Sequence, residues 1–345
     1  MNGRVYLDWN ATAPLRPEAR DAMIAAMDVV GNPSSVHAEG RKSKAIIERA
    51  RAQVAAAFGA SGSDIVFTGS ATEACALALH DRALSCAGIE HDAVVAQCRV
   101  EQSVNSDGLV NGAPEVLQAA NSETGVLQKA SHDIAFCDAV QAAGKTPWAF
   151  EWSPANYAAL SAHKIGGPAG IGALLIRRGL DVDAIISGGG QEMGRRSGTE
   201  NVIGAAGFGA AAEAATRDLS EGVWDRVAEM RNNLEETLAD AASEIIFFGK
   251  GASRLPNTTN FAIPGWKGET QVMQMDLAGF AVSAGSACSS GKVRESRVLR
   301  AMGFDSVTAS SAIRVSMGPT TTQAQVTAFA DAWIEQYRRF KARAA

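Results

Sequence analysis

The sequence has no long uncharged apolar run and no excess of positive charge, and both absences narrow the class of protein. Residues 1–8 contain no apolar signal core, and the charge-free stretch 201–212 is too short and glycine-rich to cross a bilayer. The formal net charge is −5, which argues against a surface for a polyanion. We therefore expect a cytoplasmic protein that binds small molecules, with neither nucleic acid nor a membrane as its partner.

The cysteines are few, odd in number and without any C-x-x-C pair. This pattern fits neither a disulfide framework nor a zinc site, so we predict reduced thiols and no metal. The five are Cys75, Cys86, Cys98, Cys137 and Cys288.

At 345 residues the chain is long enough for two domains, or for one large domain with a satellite. Strands and helices alternate through its first half, which predicts an α/β layer with a mostly parallel sheet. Strands are predicted at 64–68, 93–96, 115–119, 133–138, 157–160, 171–176, 256–263, 281–284 and 312–317. Helices are predicted at 16–27, 38–58, 71–84, 201–216, 221–241 and 322–342.

A polar, glycine-rich turn at 161–168 places Lys164 between two predicted strands. A buried lysine has a lowered pKa, as Schiff-base chemistry requires, whereas the alternative is a lysine on a surface loop. Ser161 and Lys164 also match the S-x-x-K pattern of serine hydrolases, but the partner motifs S-D-N and K-T-G are absent. The tripeptide at 144–146 resembles the end of a P-loop, but Ala139 stands where that loop needs glycine.

Three further loops carry candidate chemistry. Residues 69–73 turn from a strand into a helix and suit a phosphate, although a helix capped by Thr72 with no ligand is the alternative. Residues 188–199 are glycine-rich and cationic, which indicates contact with an anion. Residues 283–291 are almost all tiny and present Cys288 as an accessible thiol, unlike Cys75 and Cys137, which we expect to be packing residues.

Asn121, Asp138 and Lys164 all fall at or just past the ends of predicted strands. Ligands of parallel α/β sheets bind at the carboxyl ends of the strands. These three residues together therefore indicate one site more strongly than any of them does alone.

Three motifs together resemble the cysteine desulfurases of the NifS/IscS type, in the class V aminotransferase group of fold-type I pyridoxal-phosphate (PLP) enzymes. They are SAHKxGGP from Ser161, GGGQExGxRxGTEN from Gly188 and GSACSSG from Gly285, and the likeness extends over residues 6–322. It implies a mostly parallel central sheet with helices on both faces, plus a smaller α+β domain built from the chain ends. We expect a large PLP-binding domain at 15–245 and a small domain at 1–14 and 246–345.

The resemblance also implies a role for each residue that matches a family motif. Lys164 would form the Schiff base and move the Cα proton, Asp138 would hold the ring nitrogen protonated, and Gln141 would bind the ring oxygen. His91 would stack on the ring. The phosphate would be held by Ala71, Thr72, Ser161, His163 and the partner subunit's Thr199, and the substrate by Asn10, Asn121 and Arg314.

The activity implied is conversion of L-cysteine to L-alanine, leaving a persulfide on Cys288 for a sulfur acceptor such as an iron–sulfur scaffold protein. A homodimer follows from the role given to Thr199. Selenocysteine lyase chemistry would use the same residues, and a degenerate PLP-binding subunit without turnover is a further alternative. Three departures from the family pattern put cofactor affinity and local architecture in question: Ser70 in place of glycine, Ser122 in place of asparagine, and a compressed segment at 97–115.

Overall fold

The structure, a computed structural model, describes residues 3–285 and 295–344. Its strands are β1 Val5–Tyr6, β2 Asp64–Thr68, β3 Ser85–Ala87, β4 Arg99–Gln102, β5 Ile134–Asp138, β6 Ala155–Ser161, β7 Gly172–Ile176, β8 Ile246–Phe247, β9 Thr258–Ala262, β10 Phe280–Ala281, β11 Ser283–Ala284 and β12 Ala312–Ser316. Its helices are α1 Pro17–Met27, α2 Ala38–Ala57, α3 Ala71–Leu79, α4 Asp92–Val95, α5 Val202–Ser220, α6 Val223–Ala241, α7 Gly268–Leu277, α8 Arg297–Ala301, α9 Ser306–Ser310 and α10 Gln323–Ala344.

The larger sheet has the strand order β2-β7-β6-β5, and β7 runs opposite to both of its neighbours. β5 and β6 are parallel, and Val116 continues the sheet through a parallel bridge to Phe136 of β5. The backbone N–H of Val116 donates to Ser85 of β3, which in turn lies parallel to β4. Within the larger sheet β2, β5 and β6 share one direction and β7 opposes it, and the predicted mostly parallel α/β fold is confirmed.

Alternating side chains along β2 separate two apolar layers. Ile65 and Phe67 pack with Phe208 of α5 in one core, whereas Val66 packs with Leu174 in the other. This period of two is the pleat of a strand that is buried on both faces. Helices α1, α2 and α5 lie together on one side of the sheet, and α3 contacts β6 and β7 from the other.

A second, antiparallel sheet with the order β11-β12-β9-β8 supports a separate core. Trp333 of α10 is fully buried there, with its ring centroid 5.4 Å from that of Phe261 and its indole N–H donating to Gln271. Strand β1 pairs with β10, so the N-terminus joins this second unit. Helix α6 also buries its apolar face in the same core. The domain boundaries given above stay a prediction.

Three expected elements differ in the structure. The strand predicted at 93–96 is wrong: residues 92–95 form a single helical turn, because the His91 side chain caps it by accepting from the backbone N–H of Ala93. Helix α3 ends at Leu79, short of residue 84, and positive φ angles at Asp81 and Ala83 follow it. The segment 115–119 meets β5 at a single bridge and forms no regular strand. Among the helices of the described ranges, none has the length and apolarity needed to cross a membrane.

We predict that Trp333→Ala costs about 3–5 kcal/mol of the free energy of unfolding of the second unit, because it removes a large side chain from a closed core. Trp152, which is 75% exposed, is the matched control, and Trp152→Ala should stay within about 0.5 kcal/mol of wild type. Urea denaturation followed by circular dichroism measures both. Equal losses in the two variants would contradict the assignment of Trp333 to the core.

Candidate active site

A cavity of about 710 Å³ lies where the carboxyl ends of the parallel strands meet the second unit. The larger sheet contributes Asp138 from the end of β5 and Ser161 from the end of β6. The second unit contributes Arg314 of β12 and the residues Ser283 to Gly285. The cavity therefore has walls from both cores.

The structure brings together most of the residues that the sequence singled out. Those that line the cavity are Asn10, Ala71, Thr72, His91, Asp138, Gln141, Ser161, His163, Lys164 and Arg314. Cys288 lies outside the described residues. Asn121 and Thr199 are described but lie elsewhere.

Lys164 is held at the cavity wall by the N-terminal segment. Its Nζ donates to the backbone oxygens of Asn10 and Ala11, each at 2.8 Å. The backbone of Ala13 then donates to His163, and that of Arg16 to Gly166, so residues 10–16 wrap around the lysine turn. This arrangement answers the alternative left open by the sequence, because Lys164 lines a cavity, is partly buried and is tied to the N-terminal segment, unlike a solvated lysine on a surface loop.

The electrostatic setting of Lys164 suits a nucleophilic amine. Burial, and then the nearby Arg314, lower its pKa to about 8, although Asp138 and Asp8 oppose the shift. His163 beside it has a pKa lowered to about 4, chiefly by burial and then by the charge of Lys164. The site thus keeps His163 neutral and makes a neutral Lys164 amine accessible near physiological pH.

Asp138 contributes a carboxyl group to the cavity wall at the end of β5. It is buried, which raises its pKa, and its Oδ1 accepts from the backbone N–H of Val140 at 3.0 Å. The nearby His91 and Lys164 partly offset the shift by favouring the carboxylate. A cationic ring nitrogen in the cavity would favour the ionised form further.

The turn between β2 and α3 is organised by Ser70, which takes the capping position that the alternative interpretation gave to Thr72. Ser70 Oγ accepts from the backbone N–H of Glu73, and the Glu73 carboxylate accepts in return from Gly69. Because Ser70 serves as the cap, the first-turn N–H groups of Ala71 and Thr72 lie at the cavity wall. A helix N-terminus of this kind attracts a phosphate, and serine in place of glycine still permits the turn.

Arg314 lines the cavity with a guanidinium group that can bind an anion. Its Nη2 donates to Asp8 at 2.7 Å, and its Nη1 donates to the backbone oxygen of Ser122 at 3.1 Å. Its Nε is buried and has no hydrogen-bond partner in the part of the chain that the structure describes. An unpaired buried guanidinium donor beside the Lys164 amine suits the carboxylate of an amino acid.

The two asparagines proposed for the substrate have structural partners. Both Nδ2 hydrogens of Asn10 are donated, to Ser122 and Thr258, and its Oδ1 accepts from Asn257 and Lys145. Asn121 does not line the cavity. It donates to Ile89, and its Oδ1 accepts from the backbone of the 123–124 turn. Direct substrate contact by either residue stays a prediction that would require an exchange of these partners.

Thr199 is exposed and lines a smaller cavity, of about 130 Å³, on the side of Thr68 and Gly69. Its loop is fixed by Glu192, which accepts from both Nη groups of Arg51 and from the backbone of Phe67. Glu192 has a φ of 50°, and its ion pair with Arg51 holds the residue in this left-handed conformation. The role of Thr199 in a partner's site stays a prediction.

Sequence reasoning missed several charged groups of the site. Glu90 lines the cavity, its Oε2 has no hydrogen-bond partner among the described residues, and burial raises its pKa well above the usual range. Burial also raises the pKa of Glu123 to about 7. Arg297 donates to the backbone oxygens of Gly88 and Glu90 and so holds the loop that carries His91. The one available signal was the position of Glu90 beside His91.

The donor set fits PLP. It offers an amine for the aldehyde, a carboxyl group for the ring nitrogen, and a helix N-terminus with Ser161 and His163 for the phosphate. An α/β fold with these groups at the strand ends defines the class of fold-type I PLP enzymes. The chain belongs to the aminotransferase class-V family, whose model matches residues 5–99 and 90–329.

Within that family the chain belongs with the cysteine desulfurases. It is 37% identical over 359 residues to the cysteine desulfurase of Klebsiella pneumoniae, covering 94% of this chain and 90% of that protein. It is 34% identical to the cysteine desulfurase IscS of Dictyoglomus turgidum, with 94% and 92% of the two chains covered. A NifS-like protein from Rickettsia africae has the same fold, with a TM-score of 0.88, 33% identity and coverage of 97% and 99%. The structure described as SspA in complex with cysteine aligns with a TM-score of 0.75 and 25% identity, over 92% of this chain and all of that one.

We predict that the rate at which PLP forms a borohydride-reducible adduct with the apoprotein rises with pH through about 8, where Lys164 loses its proton. The direction follows because only the neutral amine attacks an aldehyde. Intact-protein mass spectrometry after reduction measures the adduct, and Lys164→Ala should form none while keeping its fold. An adduct that persists on Lys164→Ala would move the Schiff base to another lysine.

Proposed function

We propose that this protein is a PLP-dependent L-cysteine desulfurase that converts L-cysteine and the thiol of Cys288 into L-alanine and a Cys288 persulfide. The observation that carries the proposal is the meeting of Lys164, Asp138 and Arg314 at one cavity, with the Lys164 pKa at about 8. A relative described as a complex with cysteine supports the choice of substrate. The cysteine desulfurases at 34–37% identity support the reaction.

When bound, PLP supplies an electron sink that acidifies the substrate Cα–H and weakens its C–S bond. Asp138 would keep the ring nitrogen protonated, and the Ala71 and Thr72 backbone, together with Ser161 and His163, would bind the phosphate. His91 would stack on the ring, and Gln141 would donate to the ring oxygen.

Arg314 binds the substrate carboxylate and so fixes the Cα–H bond relative to Lys164. Its Nε has no hydrogen-bond partner among the described residues, which supports a charge-assisted pair with that carboxylate. Lys164, once its amine is free and neutral, takes the proton from Cα and returns one to the product. Burial lowers the pKa of His163 to about 4, so His163 would contact the phosphate as a neutral ring.

Cys288 acts last, as the thiolate. Its sulfur forms a bond to the substrate sulfur while the substrate C–S bond breaks, and the electron pair of that bond is protonated to give alanine. Cys75 also borders the cavity, but burial raises the pKa of its thiol well above the usual value, so it stays protonated. The persulfide would then pass to a sulfur acceptor, for which an iron–sulfur scaffold protein is our proposal.

Two alternatives remain open to test. Selenocysteine lyase chemistry would use the same residues, and relative rates on L-cysteine and L-selenocysteine separate it. A degenerate PLP-binding subunit would lack the visible absorbance band of bound PLP, or would show no change in that band when cysteine is added. Either spectral result would favour the degenerate subunit over the desulfurase.

We predict a homodimer, because exposed Thr199 does not line the large cavity of its own chain and is proposed to complete the phosphate site of a partner. Light scattering on the PLP-loaded protein should give twice the chain mass. A PLP-loaded, active monomer would show the assignment of Thr199 to be wrong.

We predict that Cys288→Ser still binds PLP and reacts with cysteine but releases no sulfide catalytically, because a serine hydroxyl cannot store sulfane sulfur. Cys75→Ser and Cys137→Ser, at two buried cysteines, are the controls and should lose only about 1 kcal/mol of packing energy. Mass spectrometry of the cysteine-treated protein and an assay for alanine test this. Full alanine turnover by Cys288→Ser, or a persulfide on Cys98, would overturn the assignment.

A further inference from the structure

Lys145 is a second buried lysine at the site, and the proposed reaction gives it no role. It lies in the turn that follows β5, is 3% exposed, and stands behind the cavity wall. Its Nζ donates to Gln141 Oε1 at 2.5 Å and to Asn10 Oδ1 at 3.0 Å. A lysine is rarely buried to this degree without a specific partner.

This contact and a second one, to the backbone oxygen of Asn10, fix the orientation of the Gln141 amide. A carboxamide presents an acceptor on one side and two donors on the other, and its two orientations have nearly the same shape. Gln141 Nε2 donates one hydrogen to the backbone oxygen of Asn10 at 3.0 Å, while Oε1 is taken by Lys145. Because Gln141 lines the cavity, the hydrogen that remains on Nε2 is the group it can offer to a ligand.

The Asn10 amide is fixed in the same manner. Its Nδ2 donates to a backbone oxygen, that of Ser122, so its Oδ1 must face Lys145. Two acceptor oxygens thus converge on Nζ. Burial, with Lys164 and Arg314 nearby, lowers the pKa of Lys145 well below its usual value.

We propose that Lys145 is a positioning residue that locks the Gln141 amide as a hydrogen-bond donor to the anionic ring oxygen of the bound cofactor. The inference rests on the proposed function in so far as PLP is that cofactor. If Lys145 has this role, its loss weakens the binding only of ligands that carry the ring oxygen. The loss of a lysine that merely supports the fold would weaken the binding of every ligand of the cavity.

The test compares PLP with 3-deoxypyridoxal 5'-phosphate, which lacks the ring oxygen, on the full-length apoprotein. Lys145→Met should weaken PLP binding about tenfold, the effect of losing one charge-assisted hydrogen bond. Binding of the deoxy analogue should change less than about twofold. Titration of the protein fluorescence gives both dissociation constants, and melting curves of the apoproteins check the fold.

Two further variants complete the design. Gln141→Leu should show the same discrimination, and adding Lys145→Met to it should produce no further change in the ratio of the two constants. Lys145→Gln, which retains an N–H donor, should restore part of the PLP affinity and replaces Lys145→Met if that variant does not fold. Lys129→Met, at an exposed lysine, is the control and should behave as wild type.

Equal losses for PLP and the deoxy analogue in Lys145→Met would overturn the proposal, because they would show a structural role. A further loss of discrimination when Lys145→Met is added to Gln141→Leu would also overturn it, since Lys145 would then act by another route. Failure of the wild-type protein to bind either compound would instead reject the proposed function, and the two results are distinguishable.

Discussion

Asn10 joins the two halves of the molecule, and the geometry of the site depends on its hydrogen bonds. Its backbone oxygen accepts from Lys164 and Gln141 of the larger unit, and its backbone N–H donates to Ser316 of the second. Its side chain adds Ser122, Lys145, Asn257 and Thr258. Asn10 is 1% exposed, and leaving its buried amide unpaired would cost about 1–3 kcal/mol. Lys164 is thus placed by a residue from a distant part of the chain.

The cavity holds polar groups that the protein alone does not satisfy. Glu90 Oε2 and Arg314 Nε are buried and have no hydrogen-bond partner within the described ranges, and Lys164 has a lowered pKa. Each lowers the stability of the empty protein, and a ligand that pairs with them recovers this free energy on binding. The cores on either side, with Phe208 in one and Trp333 in the other, supply the stability that tolerates such a site.

The small-residue turns allow ligand and backbone to approach closely. At Gly172 a Cβ atom would lie 2.6 Å from the backbone of Ser70, so any larger residue in β7 would displace the turn that begins α3. This turn leads into the first turn of α3, which carries Ala71 and Thr72. Its conformation therefore requires a glycine on the neighbouring strand β7. Ser70, which departs from the family pattern, is accommodated because its side chain caps the helix.

The sequence by itself determined the elements with strong periodicity, such as β2 and α2, and the residues whose chemistry has few substitutes, such as Lys164, Asp138 and Arg314. Local patterns could not place the strand expected at 93–96, because capping by His91 outweighs the β propensity of its two valines. Nor could they find Lys145 or Glu90, since a lysine or a glutamate in a turn is usually solvated. Only the tertiary structure decided that these groups are buried, because burial and the partners of Asn10 come from segments up to 306 residues apart in the chain.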